Sequence, residues 1–308
     1  MSSIKILRVF VLLLGLSIWC LSMTGSGCRG KTLAPPVPAE TRQVTDDLGR
    51  IVRVPVKITR AISLAPSITE TIFAVGAADR LVGVTTYCNY PEQAKSIAKV
   101  GDTLTPNLET IVALKPDVVF VSTASQIEAF KGTLEQNGIA VYVTNPNSIE
   151  GVLSDLMKIG ELFGTVDKTS VLLNDLQSRL DEVSRRLNGE PRPGVFLQIS
   201  KEPLFTIGKQ SFMTAIIEKA GGRSVTADIE SSYPKLSKET ALALNPDAII
   251  LSTSDDNRVA NDVFKNSRAM KNSKVFSIDA DLLSRPGPRL VDGLEAIARD
   301  IHPDKFVQ

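Results

Sequence analysis

The sequence predicts an α/β protein built from two Rossmann-like lobes that are joined by one long α-helix. Three observations lead to this prediction: short apolar runs that alternate with helical segments, a gapless internal repeat, and one long amphipathic stretch near the middle of the chain. Runs that are apolar at successive positions are typical of parallel strands buried on both faces. Their alternation with helices indicates parallel α/β sheets, and 308 residues suffice for two lobes.

Residues 1–28 have the pattern of an export signal. Lys5 and Arg8 precede an uncharged apolar run at 9–21, and small residues follow. This run is shorter than the roughly 20 residues that a spanning helix needs, so we favour a signal peptide over a membrane span. The segment ends in Gly25-Ser26-Gly27-Cys28, which resembles a bacterial lipobox and implies lipidation of Cys28. A plain secretory signal cut nearby is the alternative.

The segment 29–43 contains three prolines and few apolar residues, so we predict an extended spacer between the signal and a folded body. The amino-terminal lobe is predicted over 44–165. It begins with a β-ribbon at 44–55. Its further strands are predicted at 61–64, 81–84, 117–121 and 139–143, and its helices at 68–75, 107–114, 126–137 and 149–163.

The connecting segment is predicted over 166–189 as a single amphipathic helix. Leucine and valine recur there at spacings of three and four, among charged residues, at Leu172, Leu176, Leu180, Val183 and Leu187. The carboxy-terminal lobe is predicted over 190–308. Its strands are predicted at 195–199, 248–251 and 275–278, and its helices at 212–220, 238–244 and 288–301.

The internal repeat relates residues 109–122 to residues 239–252 at an offset of 130, with seven identities in 14 positions. The repeat indicates that the two lobes share one plan. Each copy opens with a glutamate, Glu109 or Glu239. A carboxylate at a helix start is favoured by the helix dipole, so helix capping is one explanation and a shared function on the two lobes is the other.

Composition excludes several classes of function. The 35 basic and 34 acidic residues nearly cancel and form no long single-sign run, which disfavours a nucleic-acid partner. The only histidine is His302, which leaves little material for a histidine-based metal site or catalytic triad. No nucleotide-binding fingerprint is present. We therefore predict no catalytic residues, no metal ligands and no cofactor.

Aromatic and charged side chains follow several predicted strands. Tyr87, Phe205 and Tyr233 lie in loops, and Asp281 with Arg285 follows the last strand. Loops at the carboxyl ends of parallel strands are where α/β sheets usually bind ligands. These five residues are therefore candidates for ligand contacts, with packing under a loop or a surface ion pair as the alternative. Cys88 has no histidine nearby to lower its pKa, so we interpret it as structural.

Six segments of the body resemble one family in the same order along the chain. The features together resemble the substrate-binding proteins of ABC importers whose lobes are joined by one helix, and among them the vitamin B12 (cobalamin) binding proteins. The segments are 61–70 (AISLAPSITE), 81–91 (LVGVTTYCNYP), 107–109 with 115–117 (NLE, KPD), 195–198 (VFLQ), 205–209 (FTIGK) and 285–289 (RPGPR).

The resemblance implies a ligand cleft between the lobes. It places Tyr87, Phe205, Tyr233, Asp281 and Arg285 in that cleft and Pro66-Ser67 at its edge, and it implies that Glu109 and Glu239 dock onto a permease. At places where family members carry tryptophan, this chain has Thr103, Ser122 and Leu282, with Tyr233 at another. We therefore expect a wider or weaker cleft, or one for a different corrinoid.

The resemblance further implies an extracytoplasmic, monomeric protein, bound to the membrane by its lipid or free in the periplasm. It would capture cobalamin or a related corrinoid and deliver it to an ABC permease dimer with its ATPase subunits. A ferric siderophore or haem is the alternative ligand. An extracytoplasmic enzyme or a sensor is a more distant alternative, because no nucleophile and base pair is evident and no output domain follows the second lobe. With a helix as the hinge, we expect lobe closure to be small.

Overall fold

The computed structural model describes residues 40–123 and 127–307, except for the side chains of 127–129. The predicted signal peptide, Cys28 and all of the predicted spacer up to residue 39 lie outside the described residues. The body begins with a β-ribbon in which β1 (Thr41–Thr45) pairs antiparallel with β2 (Ile51–Pro55). Its first strand therefore includes three residues that the sequence assigned to the spacer.

The amino-terminal lobe has a four-stranded parallel sheet flanked by helices. Its strands run in the order β4-β3-β5-β6. The strands are β3 (Ala61–Ser63), β4 (Leu81–Val84), β5 (Val118–Ser122) and β6 (Ala140–Thr144), and the helices are α1 (Pro66–Ala74), α2 (Leu108–Ala113), α3 (Ile127–Gln136) and α4 (Ile149–Phe163).

The carboxy-terminal lobe follows α5 (Val166–Arg186) and repeats this plan. Its sheet has the order β11-β10-β7-β8, with β9 also paired to β7. The strands are β7 (Gly194–Ser200), β8 (Phe205–Thr206), β9 (Arg223–Ser224), β10 (Ala248–Thr253) and β11 (Val275–Asp279). The helices are α6 (Phe212–Lys219), α7 (Lys238–Leu244), α8 (Arg268–Lys271), α9 (Ala280–Ser284) and α10 (Leu290–Ile301).

The sequence repeat corresponds to the same structural unit in each lobe. Its copies form α2 with β5 and α7 with β10, and each of these strands lies inside its sheet. Lys115 and Asn245, at equivalent positions, both have positive φ, which ends the helix. Asp117 accepts hydrogen bonds from the amides just before β3, and Asp247 accepts one from the amide of Gly194 at the start of β7. The conserved aspartate of the repeat therefore has a structural reason.

One hydrophobic core is shared by the two lobes. Buried side chains of α1 and α4 belong to the same cluster as those of α6 and α10, and Leu176, Leu180 and Val183 of α5 lie among them. Each sheet covers its outer face with a separate, smaller cluster. The lobes are thus held together by packing as well as by the connecting helix. Because a packed core resists continuous deformation, this arrangement favours small changes in lobe angle.

Candidate functional site

A cleft lies at the carboxyl ends of the parallel strands, where the loops of both lobes meet. It holds two cavities. The first, which we call the hydroxyl-rich cavity, has a volume of about 570 Å³. Its lining includes eight serine or threonine side chains and three amide side chains. They are contributed by the ends of β5 and β6 and the loops that follow them, by the segments after β3 and β4, by the start of α6 and by residues 232–233 and 284–286. Among the side chains that the structure describes, Arg285 is the only charged one in this lining.

The second cavity, which we call the acidic cavity, has a volume of about 1070 Å³. Its lining contains three aspartates, Asp255, Asp279 and Asp281, but only two arginines, Arg258 and Arg285. Arg258 is paired with Asp255 at 3.0 Å. Asp279 caps α9, because its carboxylate accepts a hydrogen bond from the amide of Asp281 at 2.8 Å. Among the described residues, the two linings contain no lysine and no histidine.

Arg285 lines both cavities, and its charge is satisfied by the protein. Its Nη2 lies 2.6 Å from the Asp281 carboxylate. Its Nη1 donates to Glu70 Oε1 at 2.7 Å and to Asn89 Oδ1 at 2.8 Å. Its side chain is only 11% exposed. The guanidinium at the boundary of the two cavities is therefore held by two carboxylates, and its positive charge is offset before any ligand arrives.

Glu70 links this arginine to a second one. Glu70 is 2% exposed, and Arg289 donates to it from Nε at 2.8 Å and from Nη2 at 2.7 Å. This hydrogen bonding raises the pKa of the Arg289 guanidinium. Arg289 also lies 3.9 Å above the ring of Tyr90. We call Glu70 and Asn89 of the first lobe, with Asp281, Arg285 and Arg289 of the second, the interlobe clasp.

The structure brings most of the predicted ligand residues to the cleft. The hydroxyl-rich cavity is lined by Pro66, Ser67, Tyr233 and Arg285. The acidic cavity is lined by Tyr87, Asp281 and Arg285. Phe205 lines neither cavity, because it lies in the short strand β8 beside β7.

Two of the three positions that carry tryptophan in the similar family also face the cleft. Thr103 and Ser122 line the hydroxyl-rich cavity, whereas Leu282 packs against the shared core. Where the family has bulky indole rings, the first lobe of this protein therefore presents small hydroxyl side chains.

The sequence interpretation missed several residues that shape the cleft. The loop 144–147 and Phe212 line the hydroxyl-rich cavity, and Asp255 and Arg258 line the acidic cavity. The loop 144–147 follows a predicted strand, so the rule used for Tyr87 would have found it. Glu70 could not be found in this way. It is a carboxylate among the buried residues of α1, and its arginine partners come close only in the folded protein.

Glu109 and Glu239 lie in the first turns of α2 and α7. Both are exposed, and neither forms an ion pair with another residue of the described ranges. Their helices are capped by Asn107 and Ser237, whose side chains accept from the amides of Thr110 and Thr240. Hydrogen bonds from its own backbone and from Ser237 lower the pKa of Glu239. Helix capping by other side chains leaves both glutamates available to a partner.

His302 and Cys88, the two other residues considered in the sequence analysis, are buried and hydrogen-bonded within the fold. His302 is buried with its Nε2 3.2 Å from the carbonyl oxygen of Gly221. Cys88 is buried between the hydroxyls of Thr69 and Thr85, at 3.1 Å from each. Within residues 40–123 and 127–307 no three metal-binding side chains cluster. No helix of that part of the chain has the length and apolarity that a membrane span requires.

Comparison with known proteins gives the class. Residues 62–282 match the model of a periplasmic binding protein family, and this range covers most of the chain. The chain therefore belongs to the periplasmic binding protein family. Its fold, two α/β lobes with parallel sheets, confirms the predicted fold class, and the family confirms that the protein is not an enzyme.

Individual relatives narrow the class. The chain is 32% identical over 80% of its length to 81% of an uncharacterized ABC transporter substrate-binding lipoprotein, YvrC, of Bacillus subtilis. The vitamin B12 binding protein BtuF of Vibrio cholerae is 27% identical, with a TM-score of 0.72 over 82% of this chain and 100% of that one. A haem-binding protein of Pseudomonas aeruginosa is 27% identical, with a TM-score of 0.71 over 80% and 93%. The protein is the substrate-binding protein of an ABC transporter.

Proposed function

We propose that this protein captures cobalamin or a related corrinoid outside the membrane and delivers it to an ABC permease. One observation carries the choice of ligand: the cleft is lined by hydroxyl and amide groups, and both of its arginines are already paired with carboxylates. Corrinoids carry neutral amide side chains around a flat macrocycle. Such groups suit neutral hydrogen-bonding partners better than they suit free cations.

The size of the cleft supports a large ligand. Sites for small molecules commonly have volumes of roughly 300–1,000 Å³. The two cavities of the cleft have volumes of about 570 and 1070 Å³, and they meet at Arg285. We propose that Tyr87, Tyr233, Asp281 and Arg285 contact the ligand, with Pro66-Ser67 at the cleft edge. Phe205 stays a candidate through the family resemblance alone.

The charges of the cleft disfavour an anionic ligand. The propionates of haem, a carboxylate or catecholate siderophore, and molybdate each need cations that are free to pair with them. Here the acidic cavity has more aspartates than arginines, and Arg285 is shared between Glu70 and Asp281. Binding such a ligand would cost the separation of existing ion pairs.

A second candidate ligand class rests on two exposed phenols. Tyr87 and Tyr233 are 63% and 47% exposed and line the cleft. A tyrosine oxygen ligates ferric iron in some haem proteins. Haem or a ferric siderophore is therefore the alternative to a corrinoid, and the haem-binding relative has the same fold.

Delivery would use one exposed glutamate on each lobe. Glu109 and Glu239 occupy equivalent positions in the two copies of the repeat. We propose that each docks onto one half of a permease dimer served by ATPase subunits, because equivalent points on two lobes suit a two-fold partner. Lipidation of Cys28 would anchor one monomer at the outer face of the membrane, with residues 29–43 as the spacer.

The proposed site is tested by titrating cyanocobalamin into the purified protein by calorimetry. We expect saturable one-to-one binding that Tyr87→Ala and Tyr233→Ala each weaken about fivefold, since an aromatic contact contributes on the order of 1 kcal/mol. Tyr90→Ala is the matched control, because this exposed ring lines neither cavity of the cleft. Equal effects of all three substitutions would place the ligand elsewhere.

A further inference from the structure

Glu70 contacts the cleft only through Arg285. Its carboxylate lines neither cavity, lies on α1 behind the cleft wall and is 2% exposed. Arg285 in turn lines both cavities, and one nitrogen of its guanidinium lies 2.7 Å from Glu70. A buried carboxylate therefore fixes the position and the charge of the cation at the centre of the cleft.

The charges of the interlobe clasp balance. Two carboxylates, Glu70 and Asp281, face two guanidiniums, Arg285 and Arg289, at distances of 2.6–2.8 Å. Removing the charge of Glu70 alone would leave one positive charge in excess. Arg289 lies over the ring of Tyr90 and lines neither cavity of the cleft, so the excess would be available to a ligand at Arg285.

A purely mechanical role for Glu70 makes a different prediction. The pair of Glu70 with Arg289 joins α1 of the first lobe to the start of α10 of the second, so it also holds the lobes together. If Glu70 served only this purpose, removing Arg289 would affect ligands in the same way as removing the charge of Glu70. Arg289 lines neither cavity of the cleft, which makes the two roles separable.

We propose that Glu70 is a positioning residue that neutralises Arg285 and thereby makes the cleft select neutral ligands over anionic ones. The inference deepens the proposed function and rests on it for the identity of the neutral ligand. It assigns the selectivity to a residue outside the ligand's reach. The cleft would then discriminate by charge through a carboxylate that no ligand touches.

The experiment compares a neutral corrinoid with derivatives of nearly the same shape that carry one negative charge. The probes are cyanocobalamin and its monocarboxylates, in which one peripheral amide has been hydrolysed to a carboxylate. Their dissociation constants are measured by calorimetry for the wild-type chain and for Glu70→Gln. We expect the affinity of the best monocarboxylate relative to cyanocobalamin to rise about tenfold in Glu70→Gln, because a charge-assisted contact to Arg285 becomes available.

Two further variants keep the inference falsifiable. Arg289→Met breaks the same link between the lobes but leaves Arg285 beside two carboxylates, so the affinity ratio should not rise in favour of the monocarboxylate and should stay at or below that of wild type. Arg285→Gln removes the cation and leaves Asp281 unpaired, so the ratio should move about tenfold against the monocarboxylate. If Glu70→Gln does not fold, the shift of the affinity ratio in Arg285→Gln becomes the test of the inference. An equal shift in Glu70→Gln and Arg289→Met, or no shift in Arg285→Gln, would overturn the inference.

Failure of the proposed function gives a distinct result. If the wild-type chain does not bind cyanocobalamin, the corrinoid proposal is wrong, and haem then replaces the corrinoids as the anionic probe. In that case we expect Glu70→Gln, but not Arg289→Met, to bind haem more tightly than wild type does. Unchanged haem affinity in Glu70→Gln would show that Glu70 does not control the charge of the cleft.

Discussion

Asp155 of α4 shows how burial sets the charge of a single residue. It is buried beside Asp47 of the β-ribbon turn, and Lys158 lies 4.0 Å away. Burial, with the neighbouring Asp47 carboxylate, raises the pKa of Asp155 to about 8. Asp47 is also partly buried, but the Lys158 ammonium at 2.6 Å and the amide of Asn145 hold its pKa below its usual value. One carboxyl of the pair is thus protonated at neutral pH.

The pKa of Asp155 predicts a pH dependence of stability. The folded chain holds this proton up to about pH 8, whereas the unfolded chain loses it near pH 4. Between these values the folded state binds more protons, so the contribution of Asp155 to stability falls as pH rises. We expect Asp155→Asn to be close to wild type at pH 4 and more stable than wild type by several kcal/mol at pH 8.5, since each unit of pKa difference corresponds to about 1.4 kcal/mol.

Urea denaturation at the two pH values measures this difference. Asp228→Asn, at an exposed carboxylate, is the control and should show no such pH-dependent gain. If Asp155→Asn has the same stability relative to wild type at both pH values, Asp155 is ionised in the folded protein and the interpretation is wrong.

Single residues also show what the sequence could and could not predict about the site. Tyr87, Tyr233 and Arg285 were predictable because loops after parallel strands converge on one edge of a sheet. Glu70 was not, because its partner Arg285 is 215 positions away and the pair forms only when both lobes are folded. That Thr103 and Ser122 line a cavity could not be predicted from their residue type, since small hydroxyl residues are common in any loop.

At the level of elements, α4 and the connecting helix α5 approach closely at one glycine. A Cβ at Gly160 would lie 2.2 Å from the Thr169 hydroxyl, so a side chain does not fit without movement. At Gly132, in α3, no other described part of the protein lies within 4 Å of the same position, the helix's own backbone apart. The two glycines thus differ in packing although each lies inside a helix.

The same substitution at these glycines should have opposite effects. We expect Gly160→Ala to lower the free energy of unfolding by about 2 kcal/mol through overpacking. Gly132→Ala should raise it by about 0.5–1 kcal/mol, because alanine favours a helix over glycine. Urea denaturation of both variants tests this. A stabilising Gly160→Ala would mean that α4 and α5 are less tightly packed than the structure indicates.

The two copies of the α2–β5 and α7–β10 unit predict a shared docking role. We expect the double variant Glu109→Arg with Glu239→Arg to abolish transport in cells while the purified protein keeps its ligand affinity. The docking proposal implies basic side chains on the permease opposite the two glutamates, and an introduced arginine would repel them. Each single variant should retain part of the transport. Glu218→Arg, at an exposed glutamate of α6, is the control for charge reversal. Normal transport by the double variant would rule out docking through these residues.

Long elements were predictable and short ones were not. The apolar periodicity places α4 and α7 at their observed bounds, and it begins α5 at its observed first residue but ends it three residues too late. The strands β8 and β9 have two residues each and α8 has four, so none of them is long enough for a pattern to repeat. Their positions are set by tertiary contacts instead.

At the scale of the whole molecule, the two lobes form one packed unit with a cleft. The shared core, the interlobe clasp and Arg179 of α5, which bonds Asp292 and Glu295 of α10, all resist a change in lobe angle. Ligand selection therefore depends mainly on the groups that line a preformed cleft and on the buried Glu70 that neutralises one of them, Arg285. The chain as a whole is nearly neutral, and the cleft also has no unpaired arginine, since each of its arginines is paired with a carboxylate.

The central claim is that this cleft takes a neutral corrinoid rather than an anion. The most direct measurement is calorimetric titration of the purified protein with cyanocobalamin, cobinamide, haem, a ferric siderophore and molybdate under one set of conditions. We predict that at least one corrinoid binds one-to-one and more tightly than every other ligand. Tighter binding of haem, the siderophore or molybdate, with no binding of either corrinoid, would contradict the account.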